Sequence, residues 1–325
     1  MFENACNNDY NKTYNDLLDA CNSCNNACNT CMESIFRIGR VECLVNPSLG
    51  REKELEIHPA EKPKKIMVIG GGPGGLNVAW VAAKRGHHVS LYERQASLGG
   101  QLNLSTVNPY KKELFSLINY QKTQIEKYGV DCHLKTEVTI EVLKDVKPDV
   151  VILATGSRPI TPSIPGMDKP HVFTFPEILN GKQRLIKGKC IVIGGGATGC
   201  EIAHYISEQG YQVTLVEQLP RVAENLETVT RKVLLNKMRD SGVRILTGHK
   251  ISKITDEGVF LTAGSSEEIF LEASSVVISI GTKPDDSLYG PVQALGIEYY
   301  RIGDCLESRS AKAAIYEGAV IGRAV

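Results

Sequence analysis

The chain has 325 residues, enough for two or three domains that each bury a hydrophobic core. Its 37 basic and 37 acidic side chains cancel, which argues against a nucleic acid or an anionic membrane surface as partner. No apolar run reaches the roughly 18 residues of a membrane span, and the N-terminal residues lack the features of a signal peptide. We therefore expect a cytoplasmic protein without a membrane partner.

The ten cysteines are unevenly distributed. Six fall within the first 43 residues, namely Cys6, Cys21, Cys24, Cys28, Cys31 and Cys43. Without an export signal, such a group indicates metal ligation rather than disulfides. Thiolates at every third or fourth residue, followed by a more distant one, favour an iron–sulfur cluster. Zinc is the alternative, although zinc sites usually offer two well-separated pairs or add histidine.

Two glycine-rich turns organise the rest of the chain. The first runs from Gly70 to Gly75 with the spacing G-x-G-x-x-G, directly after an apolar, β-branched run. A helix is predicted from Gly75 to Arg85, and a strand over His88–Tyr92 leads to Glu93, 18 residues after the last glycine. This context is typical of a dinucleotide-binding domain. The glycines let the backbone approach a pyrophosphate, and the carboxylate accepts from a ribose hydroxyl.

Between the two turns, the chain predicts further elements of the first domain. The apolar residues of Lys111–Tyr128 recur near the helical period, and a strand follows over Val130–Leu134. A buried strand that starts at Val150 ends in the run Ala-Thr-Gly at Gly156.

The second turn repeats the pattern of the first. Gly194, Gly196 and Gly199 follow an apolar run, and Glu217 lies 18 residues after the last of them. A single motif of this kind is a moderate signal. Two in one chain, each with its acidic residue, predict two dinucleotide-binding domains.

The other cysteines and the histidines indicate no additional site. Cys132, Cys190 and Cys200 stand alone in the sequence, which argues against a redox-active disulfide beside a flavin. The seven histidines show no metal-ligand spacing, and His87 is predicted at the surface.

The segment that begins at Cys31 resembles the cluster segment of the 2,4-dienoyl-CoA reductase and trimethylamine dehydrogenase group, flavoproteins related to old yellow enzyme. The resemblance covers nearly all of the chain from about Cys21 onward. It implies a [4Fe-4S] cluster with Cys31 and Cys43, which have eleven residues between them, as third and fourth ligands. Cys28 matches the second ligand and Cys24 is the nearest thiol for the first, with Cys21 in reserve.

The resemblance also implies which nucleotide each turn binds: FAD, or another ADP-containing molecule, at the first and the nicotinamide nucleotide at the second. The implied contacts of the first domain are Gly70, Gly72, Gly75, Glu93, Gly100, Gln101, Val138, Thr155, Gly156, Gly303 and Asp304. Among them, Asp304 is expected to accept from the ribityl hydroxyls of the flavin. The helix from about Ala311 is expected to point its N-terminus at the cofactor.

The contacts implied for the second domain are Gly194, Gly196, Gly199 and Glu217. Glu217 suits a free ribose 2′-hydroxyl and would repel a 2′-phosphate, which favours NADH over NADPH. Arg221 lies four residues later and leaves NADPH as the alternative.

The predicted fold is therefore α/β, with two Rossmann-like domains of the disulfide-reductase-like flavoprotein type, the second inserted in the first. Residues 1–60 are predicted to form a cysteine-rich cluster segment and linker. The FAD domain is predicted over residues 61–159 and 282–325, and the NAD(P)H domain over residues 160–281.

These sites together predict an NAD(P)H-oxidising electron-transfer flavoprotein, which passes electrons from NADH through FAD to the cluster. The relatives carry an FMN-containing barrel before the cysteines, and this sequence lacks it. We expect the barrel to be supplied by a partner subunit, which makes a hetero-oligomer, or by a domain that precedes this sequence. Two alternatives remain: a non-catalytic scaffold that binds ADP and a cluster, and a zinc-stabilised nucleotide-binding regulator.

Overall fold

The computed structural model describes residues 30–31, 34–35, 39–264 and 268–325. Of the predicted cluster ligands, Cys24 and Cys28 lie outside this part of the chain, as does Cys21. The chain divides into two compact units. The first comprises the described residues as far as Ser157 together with Lys283–Val325, and the second is Arg158–Thr282.

The first unit is built on a parallel sheet of five strands in the order β15-β4-β1-β2-β3. Its central strands are runs of Val, Ile, Leu and Met with no exposed side chain in the middle, because helices cover both faces. The strands are β1 (Lys65–Ile69), β2 (His88–Glu93), β3 (Asp131–Leu134), β4 (Val150–Leu153) and β15 (Glu298–Arg301). The helices are α1 (Pro73–Lys84), α2 (Leu102–Ser105), α3 (Leu114–Lys127), α4 (Ile140–Val146), α8 (Tyr289–Ala294) and α9 (Ala311–Ala324).

The second unit repeats this arrangement, since its parallel sheet has the order β6-β13-β7-β8-β9. A separate antiparallel sheet has the order β10-β11-β12. The strands are β6 (Val172–Thr174), β7 (Lys189–Ile193), β8 (Gln212–Val216), β9 (Arg244–Leu246), β10 (Lys250–Ile254), β11 (Gly258–Thr262), β12 (Glu268–Glu272) and β13 (Ser275–Ile278). The helices are α5 (Phe175–Leu179), α6 (Ala197–Ser207) and α7 (Thr228–Asp240). The short strands β5 (Ser157–Pro159) and β14 (Thr282–Pro284) form a sheet of their own.

In both parallel sheets, the strand before the glycine turn is central, and the next strand along the chain is its neighbour. This is the strand order of a Rossmann-like fold, in which ligands bind beyond the carboxyl ends of the strands. The predicted α/β class with two Rossmann-like domains is confirmed.

Glycines allow α1 and α9 of the first unit to pack closely. A Cβ atom on Gly318 would lie 2.5 Å from the carbonyl oxygen of Gly74, and one on Gly322 would lie 2.8 Å from the Val81 side chain. Larger residues at these positions would push the helices apart. The long C-terminal helix is thereby fixed beside the helix that follows the first glycine turn.

Some local predictions need correction. The first helix starts at Pro73 rather than Gly75, because proline suits the first position of a helix. The helix predicted over Lys111–Tyr128 starts only at Leu114, after a 3₁₀ turn over Pro109–Lys111. His87, predicted at the surface, is buried, with the amide N–H of Lys64 donating to its Nδ1 at 3.1 Å. In the described part of the chain, no helix has the length and hydrophobicity to cross a membrane.

Candidate functional site: two nucleotide cradles and a cysteine segment

The first glycine turn connects β1 to α1. Gly70 has a φ of +114°, and a Cβ there would lie 2.2 Å from the carbonyl oxygen of Ala154 on the neighbouring strand. At Gly75 a Cβ would lie 1.9 Å from the carbonyl oxygen of Gly70, so only glycine lets the helix pack this close. A Cβ on Gly72 would meet nothing within 4 Å. The turn is therefore tight on its protein side and open at Gly72, which fits the approach of a pyrophosphate.

Glu93 is buried at the end of β2 and faces this turn. Its Oε2 accepts from the N–H of Gly71 at 2.8 Å, and its Oε1 accepts from the N–H of Gln95 at 2.7 Å. Each carboxylate oxygen can accept a second hydrogen bond. The carboxylate is thus oriented beside the turn and can accept from ribose hydroxyls.

The loop that contains Gly100 and Gln101 lies directly against the turn. The N–H of Gly99 donates to the carbonyl oxygen of Gly71 at 2.8 Å, and a Cβ on Gly100 would lie 2.9 Å from the Cα of Gly72. The loop therefore extends the surface on which a ligand can lie.

The segment that follows β4 contains the predicted contacts Thr155 and Gly156. Thr155 Oγ1 donates to the carbonyl oxygen of Asp285 at 2.6 Å, and the N–H of Asp285 donates to the carbonyl oxygen of Gly156 at 2.9 Å. The carboxylate of Asp285 is 4% exposed and pairs with Arg94 at 3.5 Å. Sequence reasoning missed this pair, because it joins residues 191 positions apart.

Gly303 and Asp304 follow β15, and both are held by defined contacts. Gly303 has a φ of +64°, and its N–H donates to Glu317 Oε2 on α9 at 2.6 Å. Asp304 Oδ1 accepts from the N–H of Arg309 at 3.1 Å, and its Oδ2 accepts from Ser157 Oγ at 3.0 Å. Ser310 caps the N-terminus of α9 by accepting from the N–H of Ala313.

Val138 differs from the other predicted contacts, since its side chain is buried in a core cluster with Tyr92 and Leu143. Its segment is fixed near the end of β2, because the N–H of Thr136 donates to the carbonyl oxygen of Glu93 at 3.0 Å. The backbone contact with adenine stays a prediction.

The second glycine turn connects β7 to α6 and matches the first closely. Gly194 has a φ of +105°, and a Cβ there would lie 2.3 Å from the carbonyl oxygen of Ser279. A Cβ on Gly199 would lie 1.9 Å from the carbonyl oxygen of Gly194, whereas Gly196 again meets nothing within 4 Å. Glu217 is buried and accepts from the N–H of Gly195 at 2.5 Å and of Leu219 at 2.7 Å.

The loop between β8 and α7 lies over the second turn. Ala223 has a φ of +52°, a conformation rare outside glycine, and its N–H donates to the carbonyl oxygen of Gly195 at 2.7 Å. Asn225 Oδ1 accepts from the N–H of Ala197, the first residue of α6, at 3.0 Å. Arg221, which leaves NADPH as an alternative, pairs with Glu224 at 3.5 Å.

The described part of the cysteine segment is tied together by Ser34. Its Oγ donates to the carbonyl oxygen of Cys31 at 3.0 Å and accepts from the N–H of Glu42 at 2.9 Å. The N–H of Asn46 donates to Cys43 Sγ at 3.4 Å. Cys31 is exposed and Cys43 is half-buried. Among the described residues there is no group of three or more candidate metal ligands, so the four-cysteine site stays a prediction.

This segment is anchored to the first unit by charge and by apolar packing. Glu42 pairs with Lys312 on α9 at 2.6 Å and with Arg51 at 3.4 Å. Beside it lies a buried cluster of Leu44, Val45, Leu102, Leu114, Leu117, Ile118, Tyr120 and Ile315, with Cys43 and Ala311 packed against it. Cys43 therefore shares a core with the helix after Gln101 and with the start of α9.

Two other cysteines lie beneath the second turn. Cys190 and Cys200 are fully buried, and burial raises the pKa of each thiol to about 12. Both stay protonated near neutral pH and act as small apolar residues, as predicted.

Comparison with known proteins extends these observations. Residues 64–306 match the family model described as pyridine nucleotide-disulphide oxidoreductase. An NADH oxidase of Thermoanaerobacter brockii is 37% identical over 275 residues, which span 83% of this chain and 42% of the oxidase. A cinnamate reductase of Clostridium sporogenes is 34% identical over 286 residues, spanning 87% of this chain and 42% of the reductase.

Among solved structures, a 2-naphthoyl-CoA reductase in complex with 2-naphthoyl-CoA superposes with a TM-score of 0.87 at 34% identity. The match covers 92% of this chain and 46% of that protein. The chain thus spans less than half the length of these relatives. It belongs to the pyridine nucleotide-disulphide oxidoreductase family and forms an NAD(P)H-dependent flavin oxidoreductase domain.

Proposed function

We propose that this chain supplies electrons from NADH to an FMN-containing partner, as part of an enoyl-CoA-reductase-like enzyme of the group that includes 2,4-dienoyl-CoA reductase. In this proposal, FAD binds at the first glycine turn and NADH at the second. A [4Fe-4S] cluster is held by Cys24, Cys28, Cys31 and Cys43. The FMN-containing barrel belongs to a partner subunit or to a preceding domain.

One observation carries the proposal: Cys43 packs in the same buried cluster as Leu102 and Ile315. Leu102 directly follows the loop predicted to contact the flavin, and Ile315 lies in the first turns of α9. The cysteine segment and the predicted FAD contacts thus belong to one packed body. A bound flavin exchanges hydride with nicotinamide and single electrons with an iron–sulfur cluster, so their proximity suits electron transfer.

The residues of the first unit fit a ligand longer than ADP. Glu93 and the open position at Gly72 suffice for the ribose and pyrophosphate of ADP. Gln101 and Asp304 extend the polar surface beyond them, where the carboxylate of Asp304 can accept from the hydroxyls of a ribityl chain. This extension favours FAD over ADP, and therefore an electron-transfer role over a scaffold.

The cysteine segment fits a cluster in two respects. The N–H of Asn46 donates to Cys43 Sγ, and hydrogen bonds of this kind stabilise a metal-bound thiolate and tune its potential. Ser34 links the backbone around Cys31 to the residue before Cys43. The backbone around the two cysteines is therefore joined by one local network, and Lys312 and Arg51 both pair with Glu42, the residue before Cys43.

At the second turn, Glu217 supports NADH as the electron donor. Its buried carboxylate accepts two backbone N–H groups and stays available to ribose hydroxyls. A 2′-phosphate there would place two negative charges side by side. Since Arg221 is paired with Glu224, neutralising such a phosphate would require breaking that ion pair.

Anaerobic reconstitution with iron, sulfide and FAD tests the proposal. We expect bound iron and sulfide in a 1:1 ratio near four per chain, and a flavin absorption band that NADH bleaches faster than NADPH. Cys43→Ser is expected to lose iron, whereas the matched Cys132→Ser, on the exposed strand β3, keeps it.

The alternatives predict different results from the same sample. Bound ADP, a cluster and no flavin band would identify a scaffold, and zinc without iron would identify a zinc-stabilised regulator. The partner is tested by size-exclusion chromatography with an FMN-containing barrel protein, where co-elution and NADH-driven reduction of the FMN are expected.

A further inference from the structure

The hydroxyl of Ser157 joins two of the predicted flavin contacts. Gln101 Nε2 donates to Ser157 Oγ at 2.8 Å, and Ser157 Oγ lies 3.0 Å from Asp304 Oδ2. The three residues are separated by 56 and 147 positions in the chain. Their side chains form one continuous hydrogen-bonded chain within the first unit.

The direction of these hydrogen bonds follows from the chemistry of the groups. An ionised Asp304 only accepts, so the single proton of the Ser157 hydroxyl is donated to it. Ser157 Oγ can then only accept from Gln101, which requires the amide nitrogen on that side. If the Gln101 amide were flipped, its oxygen and the Asp304 carboxylate would compete for one proton. Ser157 therefore sets the orientation of both side chains.

The rest of the loop 303–309 is already fixed by its own contacts. Arg309 donates its backbone N–H to Asp304 Oδ1 at 3.1 Å, and its guanidinium pairs with Glu317. Glu317 in turn accepts from the N–H of Gly303 at 2.6 Å. Ser157 adds a contact from a distant segment to Asp304 Oδ2, while the N–H of Arg309 donates to the other carboxylate oxygen, Oδ1.

We propose that Ser157 is a positioning residue for the flavin. By this inference, its hydroxyl aligns the Asp304 carboxylate and the Gln101 amide before the cofactor binds, so that binding does not require their ordering. The inference rests on the proposed function, in which the first site binds FAD. The sequence offered only a weak signal, since Ser157 directly follows Thr155 and Gly156.

The test is the affinity for FAD of apoprotein variants, measured by the quenching of flavin fluorescence. Ser157→Ala is expected to weaken binding about tenfold, the factor that corresponds to one net hydrogen bond. Ser157→Thr keeps the hydroxyl and is expected to stay within about twofold of the wild type. The matched control is Ser252→Ala in the second unit, because it removes a hydroxyl that donates to Glu268 at 2.8 Å. It is expected to leave FAD affinity unchanged.

A second readout separates positioning from mere packing. At full FAD loading, Ser157→Ala is expected to shift the flavin absorption maxima and midpoint potential, and Ser157→Thr to restore them. Gln101→Ala tests the same contact from an exposed position. The effects of Gln101→Ala and Ser157→Ala are expected to be less than additive, because both remove the same hydrogen bond.

The outcomes also distinguish this inference from the proposed function. A wild-type protein that binds no FAD overturns the proposed function. A wild-type protein that binds FAD, with a Ser157→Ala variant of equal affinity, spectrum and potential, overturns the role of Ser157 alone.

Discussion

The two glycine turns have nearly the same backbone and differ in what surrounds them. In each, the third glycine would place a Cβ 1.9 Å from the carbonyl oxygen of the first, and the second glycine faces open space. In each, a buried glutamate accepts two backbone N–H groups, one of them from the turn. The motif thus determines the turn and its acidic partner through local sterics and hydrogen bonding.

The difference lies at the start of the helix that follows. The first helix begins with Pro73, which has no N–H, and three further segments of the same unit supply polar groups nearby. The second begins with Ala197, whose N–H already donates to Asn225. For a phosphate to accept from this N–H, the Asn225 side chain has to move away. We therefore expect the first site to retain its ligand and the second to exchange it.

The largest effects are expected from Gly75→Ala and Gly199→Ala. Each introduces a Cβ against a carbonyl oxygen of its own turn, and the required backbone shift costs on the order of 4 kcal/mol or more. The Gly75→Ala variant is expected to lose FAD binding. The Gly199→Ala variant is expected to lose NADH binding while FAD stays bound. Flavin absorbance and NADH titration check both. The control is Gly290→Ala in α8, where a Cβ meets nothing within 4 Å.

Next in size are Glu93→Gln and Glu217→Gln. Each replaces one acceptor oxygen with an amide that opposes a backbone N–H, and removes the charge from the remaining bond. The expected loss of binding free energy is about 1.5–3 kcal/mol, which corresponds to a roughly 10- to 150-fold lower affinity. Glu93→Gln is expected to lower the affinity for FAD, and Glu217→Gln the affinity for NADH. Calorimetric titration measures both affinities. If either variant lowered the affinity for the other nucleotide instead, the assignment of FAD and NADH to the two turns would be wrong.

A smaller effect of opposite sign is expected from Asn225→Ala. Removing this side chain costs the nucleotide-free protein about 1 kcal/mol, as loss of a helix cap does. Bound NADH would displace the Asn225 side chain in any case, so the NADH-bound protein loses nothing. The affinity of the Asn225→Ala variant for NADH should therefore rise about fivefold. Compared with the wild type, the melting temperature of this variant should be lower without NADH and the same when NADH is saturating. Glu227→Ala, which removes the cap of α7, is the control and should lower both melting temperatures with unchanged NADH affinity.

The smallest effect concerns stability in acid, to which buried histidines contribute, His87 in the first unit and His204 in the second. Burial lowers the pKa of His87 and of His204 below 6.5. The unfolded chain therefore takes up protons first as pH falls through about 6.5, and stability that is present above this pH declines below it. His87→Gln should reduce this acid dependence for the first unit, measured by urea unfolding between pH 5 and 7. The exposed His88→Gln should leave it unchanged.

From the sequence by itself, the unit of strand, glycine turn and helix in each domain could be predicted, together with the glutamate that faces each turn. These features depend on neighbouring residues: apolar runs form the strands, and glycine spacing forms the turns. The family resemblance added Gln101 and Asp304, which the fold brings together. The cluster ligands and the domain boundaries stay predictions.

Only the tertiary structure decided the contacts between distant segments. It placed Ser157 between Gln101 and Asp304, paired Asp285 with Arg94, and buried His87 where the sequence predicted a surface position. It also placed the Asn225 side chain on the N-terminus of α6. The physical reason is that such contacts join residues tens to hundreds of positions apart. Their geometry is set by the packing of strands and helices, which no local pattern of residues records.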